Sequence, residues 1–393
     1  MNVILQTTHS IHQQLKPFTF TRPASEIRCG ILTIKEKWEQ LGATKVSDAC
    51  ESYLSEKYPI QIEAENIIAP ANLLLTQSLF TSISNLKPGQ SLYQNEICIA
   101  IHLTQDGVGD YLKGKTIETE KIIFDSEQSI QFIERPWHIF QWNGQAIADD
   151  FLWLTADRKS DALSSSNRVR TTENVFVEEG AVVECSIINA ALGPVYIGKG
   201  AEIMEGTSIR GPFALGDGAV LKMGAKIYGA TTIGPQCKVG GEVNNSILFA
   251  NSNKAHDGFI GNSVIGEWCN LGADTNTSNL KNNYSSVSLH DYSSGNLIDT
   301  QTIFCGMMMG DHSKAGINTM FNTGTCIDVC VNVFGADFPP KHVASFKWGG
   351  ASGFDTYKFD KAIQTIRDVM SRRSVELSDA EYKMLKYLSE FEK

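Results

Sequence analysis

"IGKGAEIMEGTSIRGPFALGDGAVLKMGAKIYGATTIGPQCKV", residues 197–239, returns an aliphatic side chain at every sixth position. The series runs Ile197, Ile203, Ile209, Leu215, Leu221, Ile227, Ile233 and Val239, with glycine after the aliphatic at Gly198, Gly216 and Gly234. Neither the helical period of about 3.6 nor the strand period of about 2 produces such a row. A parallel β-helix with flat, hexapeptide-long faces does. Each aliphatic then points into a triangular prism while small residues turn the corners. The same beat is expected in Ile303, Met309, Ala315, Phe321, Ile327 and Val333, with Ile265 and Leu271 as a shorter run between.

The beat slips at "ILFANSNKAHDGFIG", residues 247–261. A solenoid has no cleft of its own, so a site is expected where a loop leaves the coil, pressed against a neighbouring subunit. Residues 246–261 are expected to form that excursion, and they hold Asn251, Lys254 and His256. Histidine is the side chain best suited to take a proton near neutral pH. His256 could accept it from an amine that attacks a thioester, with Lys254 holding a phosphate and nearby asparagines holding sugar hydroxyls. His312, in "MMMGDHSKAG", is a competing base.

The flanks read differently. Residues 1–155 mix candidate strands "MNVILQ", "ENIIA" and "EICIAIHL" with a helical stretch "ILTIKEKWEQLG", which indicates an α/β domain. Residues 156–180 are polar and serine-rich, a linker or first irregular coil; residues 181–350 carry the β-helix. Residues 351–393 turn helical, with Ile363, Ile366 and Met370 on one face and a capping box of Ser378 and Glu381. These helices are expected to cap or brace the last coil.

Composition narrows the partners. The 44 acidic against 34 basic residues give a net charge of -10, with no dense basic run, which argues against nucleic acid or an anionic membrane. The start "MNVILQTTHS" has no basic leader, and eighteen consecutive apolar residues occur nowhere, so a cytoplasmic protein is expected. Nine scattered cysteines without a CxxC pair fit buried thiols in a reducing compartment.

The stretch "SILFANSNKAHDGFIGNSVIGEWCNLGADTNTSNLKNNY", residues 246–284, resembles the acetyltransferase site of bifunctional sugar-1-phosphate nucleotidyltransferases. That group includes N-acetylglucosamine-1-phosphate uridyltransferase/glucosamine-1-phosphate acetyltransferase. His256, Phe259 and Gly261 fall in register with its motif, followed by Ile265, Gly266, Asn270, Gly272 and Ala273, and "KAGIN" (314–318) matches a later coil. The resemblance implies a left-handed β-helix, an interface site in a homotrimer, and His256 as general base. It implies Asn270 and Asn279, with Lys254, Phe259 and Lys281, around an amino-sugar phosphate. Acetyl-CoA would lie along Ala273, Lys314 and Ala315. Phe259 stands where the family pattern has a tyrosine, and Asp274 where it has a third small residue; Arg210, Lys222 or Lys254 could take the place of its basic grip on the phosphate.

"PFTFTRPASEIRCGILTIKEKW", residues 17–38, resembles the early segment of sugar nucleotidyltransferases, in the shortened form of one bacterial branch. The resemblance implies a sugar 1-phosphate and a nucleoside triphosphate as substrates, with Arg22, Arg28 and Lys35 at the nucleotide. The strand "MNVIL" is followed by "QTTHSIHQQLKP", which has no glycine to let backbone amides approach a triphosphate. Asn72 stands near the expected magnesium-binding aspartate, leaving Asp149 and Asp150 as candidate late ligands and the magnesium site unassigned. Three functions stay open: a bifunctional enzyme, a nucleotidyltransferase with a scaffold β-helix, and a non-catalytic sugar-nucleotide-binding regulator. The order of the two resembling domains favours the first.

Overall fold

The computed structural model describes residues 1–126 and 129–391. Contacts divide the chain into two units, the first made of Met1–Leu15, Thr21–Ile27 and Leu32–Glu134 and the second of Lys16–Phe20, Arg28–Ile31 and Arg135–Lys393.

The first unit is an α/β layer around a six-stranded mixed sheet. Its order is Lys45–Ala49, Asn2–Gln6, Glu65–Pro70, Ile97–Thr104, Gln90–Gln94, Glu120–Ile123. The first three strands run parallel, with Asn2–Gln6 between the other two. Val3, Ile4, Leu5, Ile67 and Ile68 are all buried, as expected of strands covered on both faces. The helix Ile34–Gln40 starts at a capping box in which Thr33 and Glu36 satisfy each other's backbone N–H groups, and Gly42, at φ +116°, follows its end.

The second unit is a left-handed β-helix whose three faces are separate parallel sheets. Strands recur in the order first, second, third face, as in Ser208–Arg210, Phe213–Leu215 and Val220–Leu221. The aliphatic row from Ile197 to Val239 lies inside, every member at most 3% exposed. Its interior is one side chain deep, so stability accumulates coil by coil at roughly 1.5–3 kcal/mol for each aliphatic fully buried.

The glycines after the aliphatics serve close stacking rather than backbone freedom. None of Gly198, Gly216 and Gly234 has a left-handed φ. A Cβ on Gly198 would lie 2.6 Å from the Asp217 carboxylate, on Gly216 2.6 Å from the Pro235 nitrogen, and on Gly234 1.6 Å from the Phe249 carbonyl oxygen. At these three positions the next coil's backbone occupies the space a side chain would need, while Gly200, Gly206, Gly218 and Gly224, all at positive φ, turn the corners as expected.

Residues 246–261 do not leave the coil. Ile247–Leu248, Asn253–Lys254 and Phe259–Gly261 each pair into a face. The slip is a shortening: Leu221 registers with Val239 eighteen positions on, but Val239 with Lys254 only fifteen on. The excursion that does leave the prism comes later. Its base is the bridge between Leu280 and Phe304, and it carries the antiparallel hairpin of Ser288–Asp291 and Asn296–Asp299. Ile303 sits on that arm, 43% exposed, so the second inward run begins at Met309 and not at Ile303.

The boundaries also move. The helix Pro136–Thr155 belongs to the second unit, and Arg168–Arg170 and Val175–Val177 already pair with prism strands, so the prism begins before residue 181. That helix stitches the segment Arg28–Ile31 to the prism. The Gly30 N–H donates to Asn143 Oδ1 (2.8 Å), the Gly30 carbonyl accepts from Thr232 Oγ1 (3.0 Å), and the Ile31 N–H donates to Asp150 Oδ2 (2.8 Å). The fully buried Asp150 is thus a backbone acceptor rather than a metal ligand, and Asp149 accepts from Gln145 Nε2 at 3.0 Å.

At the C-terminus the hairpin Lys347–Gly350 and Gly353–Thr356 closes the third face. The helices Phe359–Ser371 and Asp379–Phe391 follow, the second opened by the reciprocal bonds of Ser378 and Glu381. Arg373, between them, donates to the Gln236 carbonyl and to Asn253 Oδ1 (2.9 Å), so the helical segment is fastened back along the side of the prism, at coils well before the last.

Candidate functional site

The corner that carries His256 links the third-face strand Asn253–Lys254 to the first-face strand Phe259–Gly261. His256 is exposed, and its ring has no hydrogen-bond partner among the described residues. Beneath it Lys254 is only 1% exposed, in the inward row between Val239 and Leu271. Its Nζ donates to the His256 carbonyl at 2.7 Å. Burial is the dominant influence on the ammonium and lowers its pKa to about 8, against the opposing pull of the Asp257 and Asp274 carboxylates. Lys254 therefore anchors the histidine corner from inside, and the expectation that it grips a phosphate is corrected.

Anchoring with a desolvated charge has a cost that can be read out. A fall from 10.5 to about 8 corresponds to about 3 kcal/mol at pH 7. Between those pH values the unfolded chain binds a proton that the folded chain does not, so this group makes stability rise with pH from about 8 to 10.5. Lys254→Met is expected to be about 2 kcal/mol more stable at pH 7, with the gain vanishing toward pH 10.5, while activity that depends on His256 falls roughly tenfold. Denaturant titrations at pH 7 and pH 10 check the first expectation; equal stability differences at both would contradict it.

On the first face, Phe259 is half-buried and Asn279 donates from Nδ2 to Asn262 Oδ1 at 2.7 Å. A Cβ at Gly261 would lie 2.5 Å from Asn279 Nδ2 and 2.6 Å from Phe259 Cζ, so glycine is what lets ring and amide close over this strand. On the third face Asn270 is exposed and registers with Asn253. Ala273 lies one coil beyond His256, as the bond from Asp274 N–H to the Asp257 carbonyl (3.1 Å) shows for the adjoining pair. His256 and, one coil on, Ala273 thus lie on turns between the third and first faces, with Asn270 on the strand entering the later turn and Phe259 and Asn279 over the strand that leaves the earlier one.

The other expected residues lie elsewhere. Lys281 Nζ donates to the Ser286 carbonyl at 2.5 Å, within the excursion. Lys314 Nζ donates to the His312 carbonyl at 3.0 Å, and burial lowers its pKa. Ala315 is 5% exposed in the inward row with Leu271 and Val333, so its methyl faces the core rather than a pantetheine groove. His312 is buried at φ +61° with its ring parallel to Trp268, centroids 6.5 Å apart. Of the two candidate bases, His256 is the one that presents its ring to solvent.

The first unit has a cleft of about 560 Å³ at the carboxyl ends of Asn2–Gln6 and Lys45–Ala49, lined by Gln6, Thr8, His9, Asp48 and Glu51 among others. Ligands favour the carboxyl ends of parallel strands beside the central one. The turn there is tied down: Thr7 N–H donates to the Ala49 carbonyl (2.8 Å), and Thr7 Oγ1 accepts from Ala24 N–H (3.0 Å). It offers side chains rather than a nest of amides. Asp48 and Glu51 were not legible as site residues, since only the strand order shows that they share this edge.

The expected basic residues divide between the units. Arg22 and Lys35 belong to the first unit, Arg28 to the second, where its guanidinium donates to the Ile31 carbonyl. Lys35 pairs with Glu26 and Asp48, both at 3.1 Å; burial opposes its charge, but the two carboxylates outweigh burial and hold it above its ordinary pKa. Glu51 pairs with His9 at 2.8 Å. Among the described residues no three His, Cys, Asp or Glu side chains converge as metal ligands, and the cleft's carboxylates already have partners, so the residues do not fit a protein-held magnesium ion. Asn72 joins Ile133 by Nδ2–H to carbonyl (3.0 Å).

Residues 3–159 match the family model described as sugar nucleotidyl transferase. A bifunctional protein GlmU of Picosynechococcus sp. is 29% identical over 150 residues, covering 36% of this chain and 25% of that protein. One from Methanocaldococcus jannaschii is 35% identical over 83 residues, covering 21% and 20% respectively. The matches therefore span a quarter or less of the length of these curated relatives. A UDP-N-acetylglucosamine acyltransferase from Bacteroides fragilis aligns at TM-score 0.32 and 11% identity over 58% of this chain and 97% of its own; one from Arabidopsis aligns at 0.26 and 12% over 59% and 99%. Residues 3–159 are thus similar to sugar nucleotidyl transferases, and a left-handed β-helix follows them in the chain.

Proposed function

We propose that the chain is a bifunctional transferase of nucleotide-sugar biosynthesis. The prism N-acetylates an amino-sugar phosphate from acetyl-CoA, and the first unit joins a sugar 1-phosphate to a nucleoside triphosphate. The observation that carries the acetyl-transfer reading is the His256 corner, where an exposed imidazole stands beside Phe259, Asn270, Ala273 and Asn279.

The chemistry follows from the geometry. The acceptor nitrogen attacks the thioester carbonyl carbon, His256 takes the proton, the C–S bond breaks, and the thiolate leaves with a proton. Asn279, held by Asn262, hydrogen-bonds the acceptor. A homotrimer would supply the second wall that an open corner lacks. The reading includes a cytoplasmic location, supported by nine free thiols and by the absence, among the described residues, of any helix long and apolar enough to cross a membrane.

Two releases test the two halves separately. Free thiol should appear with acetyl-CoA and an amino-sugar phosphate, and pyrophosphate with a nucleoside triphosphate, a sugar 1-phosphate and added magnesium. Silence in the first assay across several amino sugars removes the acetyltransferase. Silence in the second, with thiol release intact, leaves the first unit as a binding domain, the result its glycine-free turn would favour.

A further inference from the structure

The turn that carries His256 overhangs the turn before it. Val239 pairs with Lys254 and Val243 with Ile260, so the earlier coil crosses this corner in four positions and the His256 coil in six. The earlier coil therefore supports the ends of the turn and not its middle. The Gly240 N–H donates to the Lys254 carbonyl (2.8 Å) and the Glu242 N–H to the Gly258 carbonyl (3.1 Å), while Ala255, His256 and Asp257 project between those bonds.

Backing for the projecting residues has to come from the later coil, and there the first face is interrupted. Its six-stranded sheet ends at Phe259–Gly261, and Asn276–Thr277 pairs only onward, with Met320–Phe321, as a separate sheet. On the rungs before, the first residue of each strand donates to a backbone carbonyl: Ser208 to Ala225 (2.8 Å), Lys226 to Gly241 (2.8 Å) and Glu242 to Gly258 (3.1 Å). Asn276 does the same to Thr319 (3.0 Å). Phe259 breaks the series. Its N–H donates to the side chain of Asn276 at Oδ1 (2.8 Å), and Asn276 Nδ2 donates to the Asp274 carbonyl (2.8 Å). One amide thus joins the exit of the His256 turn to Asp274, the left-handed residue (φ +55°) of the turn stacked on it. Asn279, on Asn262, crosses the same break a second time.

The imidazole has no hydrogen-bond partner of its own among the described residues, so its place is set by the backbone from Lys254 to Phe259. That backbone is held from inside by Lys254 Nζ, and from the later coil by the Asp274 N–H on the Asp257 carbonyl and by Asn276. Of these holds, Asn276 is the one made by an exposed side chain, so it can be removed without opening the core. We infer that Asn276 is a positioning residue for acetyl transfer, fixing the His256 turn against Asn279 through the Phe259 N–H. The inference rests on the acetyl-transfer reading and deepens it. A base displaced by about 1 Å can lose on the order of 10²-fold in rate, so a single amide at this break has a large effect on turnover and a small one on the fold.

The test follows thiol release from acetyl-CoA and an amino-sugar phosphate at pH 8, where an imidazole is neutral, by the full chain and by the variants N276A and N276D. N276D keeps an oxygen for the Phe259 N–H and loses only the donor to Asp274. The expected result is that N276A lowers kcat about 30-fold with both KM values within about twofold and the melting temperature within about 3 °C, whereas N276D stays within about threefold of the unaltered chain. Unchanged kcat in N276A, a loss that N276D shares in full, or a rise in KM in place of the fall in kcat overturns the inference. Failure of N276A to fold makes Asn276 structural and overturns it as well. If the unaltered chain releases no thiol, the acetyl-transfer reading fails and the clamp is judged by hydrogen exchange. Exchange of the Phe259 amide about tenfold faster in N276A, with the other coils unchanged, then sustains the clamp, and equal rates overturn it.

Discussion

His256→Ala is expected to lower the turnover of acetyl transfer by about 10²-fold or more while leaving the melting temperature within about 1 °C. Both halves follow from one observation. The ring is exposed and has no hydrogen-bond partner among the described residues, so its removal costs the fold little. The same openness leaves its nitrogens free for an incoming amine. A purely structural histidine would show the opposite pattern, lost stability with retained turnover. KM for acetyl-CoA should change little, because the imidazole acts on the acceptor's proton rather than on the cofactor. Steady-state thiol release and a thermal melt on the same preparation read both quantities.

Gly234→Ala is expected to be the most damaging small substitution in the prism, costing about 3 kcal/mol or more. The added methyl would lie 1.6 Å from the Phe249 carbonyl oxygen, a backbone atom that cannot swing aside as a side chain could. The next coil would have to move, and the carbonyl belongs to the stretch that leads into the His256 corner. Phe249 is 1% exposed and packs on Phe18 with centroids 5.2 Å apart, so its own displacement is resisted from outside. By contrast Gly200→Ala meets no atom within 4 Å; its cost should be confined to the strain of φ +59°, about 1 kcal/mol. Denaturant unfolding of the two variants side by side checks the contrast, and equal losses would show that backbone conformation, not coil spacing, selects these glycines.

Much of the architecture was legible because the prism repeats one physical requirement. Each hexapeptide must bury one aliphatic, so Ile197 to Val239 announces eight inward positions before any coordinate is known. The Ser378–Glu381 capping box was legible for a similar reason, since both partners lie within one helical turn. What the pattern concealed was the difference between a short coil and a loop. Counting six at a time cannot tell a fifteen-residue coil from an excursion, and only the pairing of Val239 with Lys254 shows that the coil stays closed. The real excursion, between Leu280 and Phe304, hid behind Ile303, an aliphatic in phase by coincidence.

The site was partly legible. His256 lies on the turn between Asn253–Lys254, which Asn270 registers beside, and Phe259–Gly261, over which Asn279 closes, because successive coils stack equivalent positions. Lys254 misled because a lysine in a polar stretch is ordinarily solvated, whereas here the shortened coil turns it inward. The first unit's cleft was not legible, since Gln6, Asp48 and Glu51 come together only when Asn2–Gln6 is placed beside Lys45–Ala49. Arg22, Arg28 and Lys35 were close in sequence but are separated between units or occupied by Glu26 and Asp48.

The central claim, that the prism transfers an acetyl group with His256 as base, is tested most directly by following an isotope-labelled acetyl group from acetyl-CoA by mass spectrometry. The acceptors would be several amino-sugar phosphates, glucosamine 1-phosphate among them. The intact chain should place the label on the amino nitrogen of at least one of them, and His256→Ala should leave that acceptor unlabelled over the same interval. Label transfer at the same rate by both proteins, or by neither, would contradict the account.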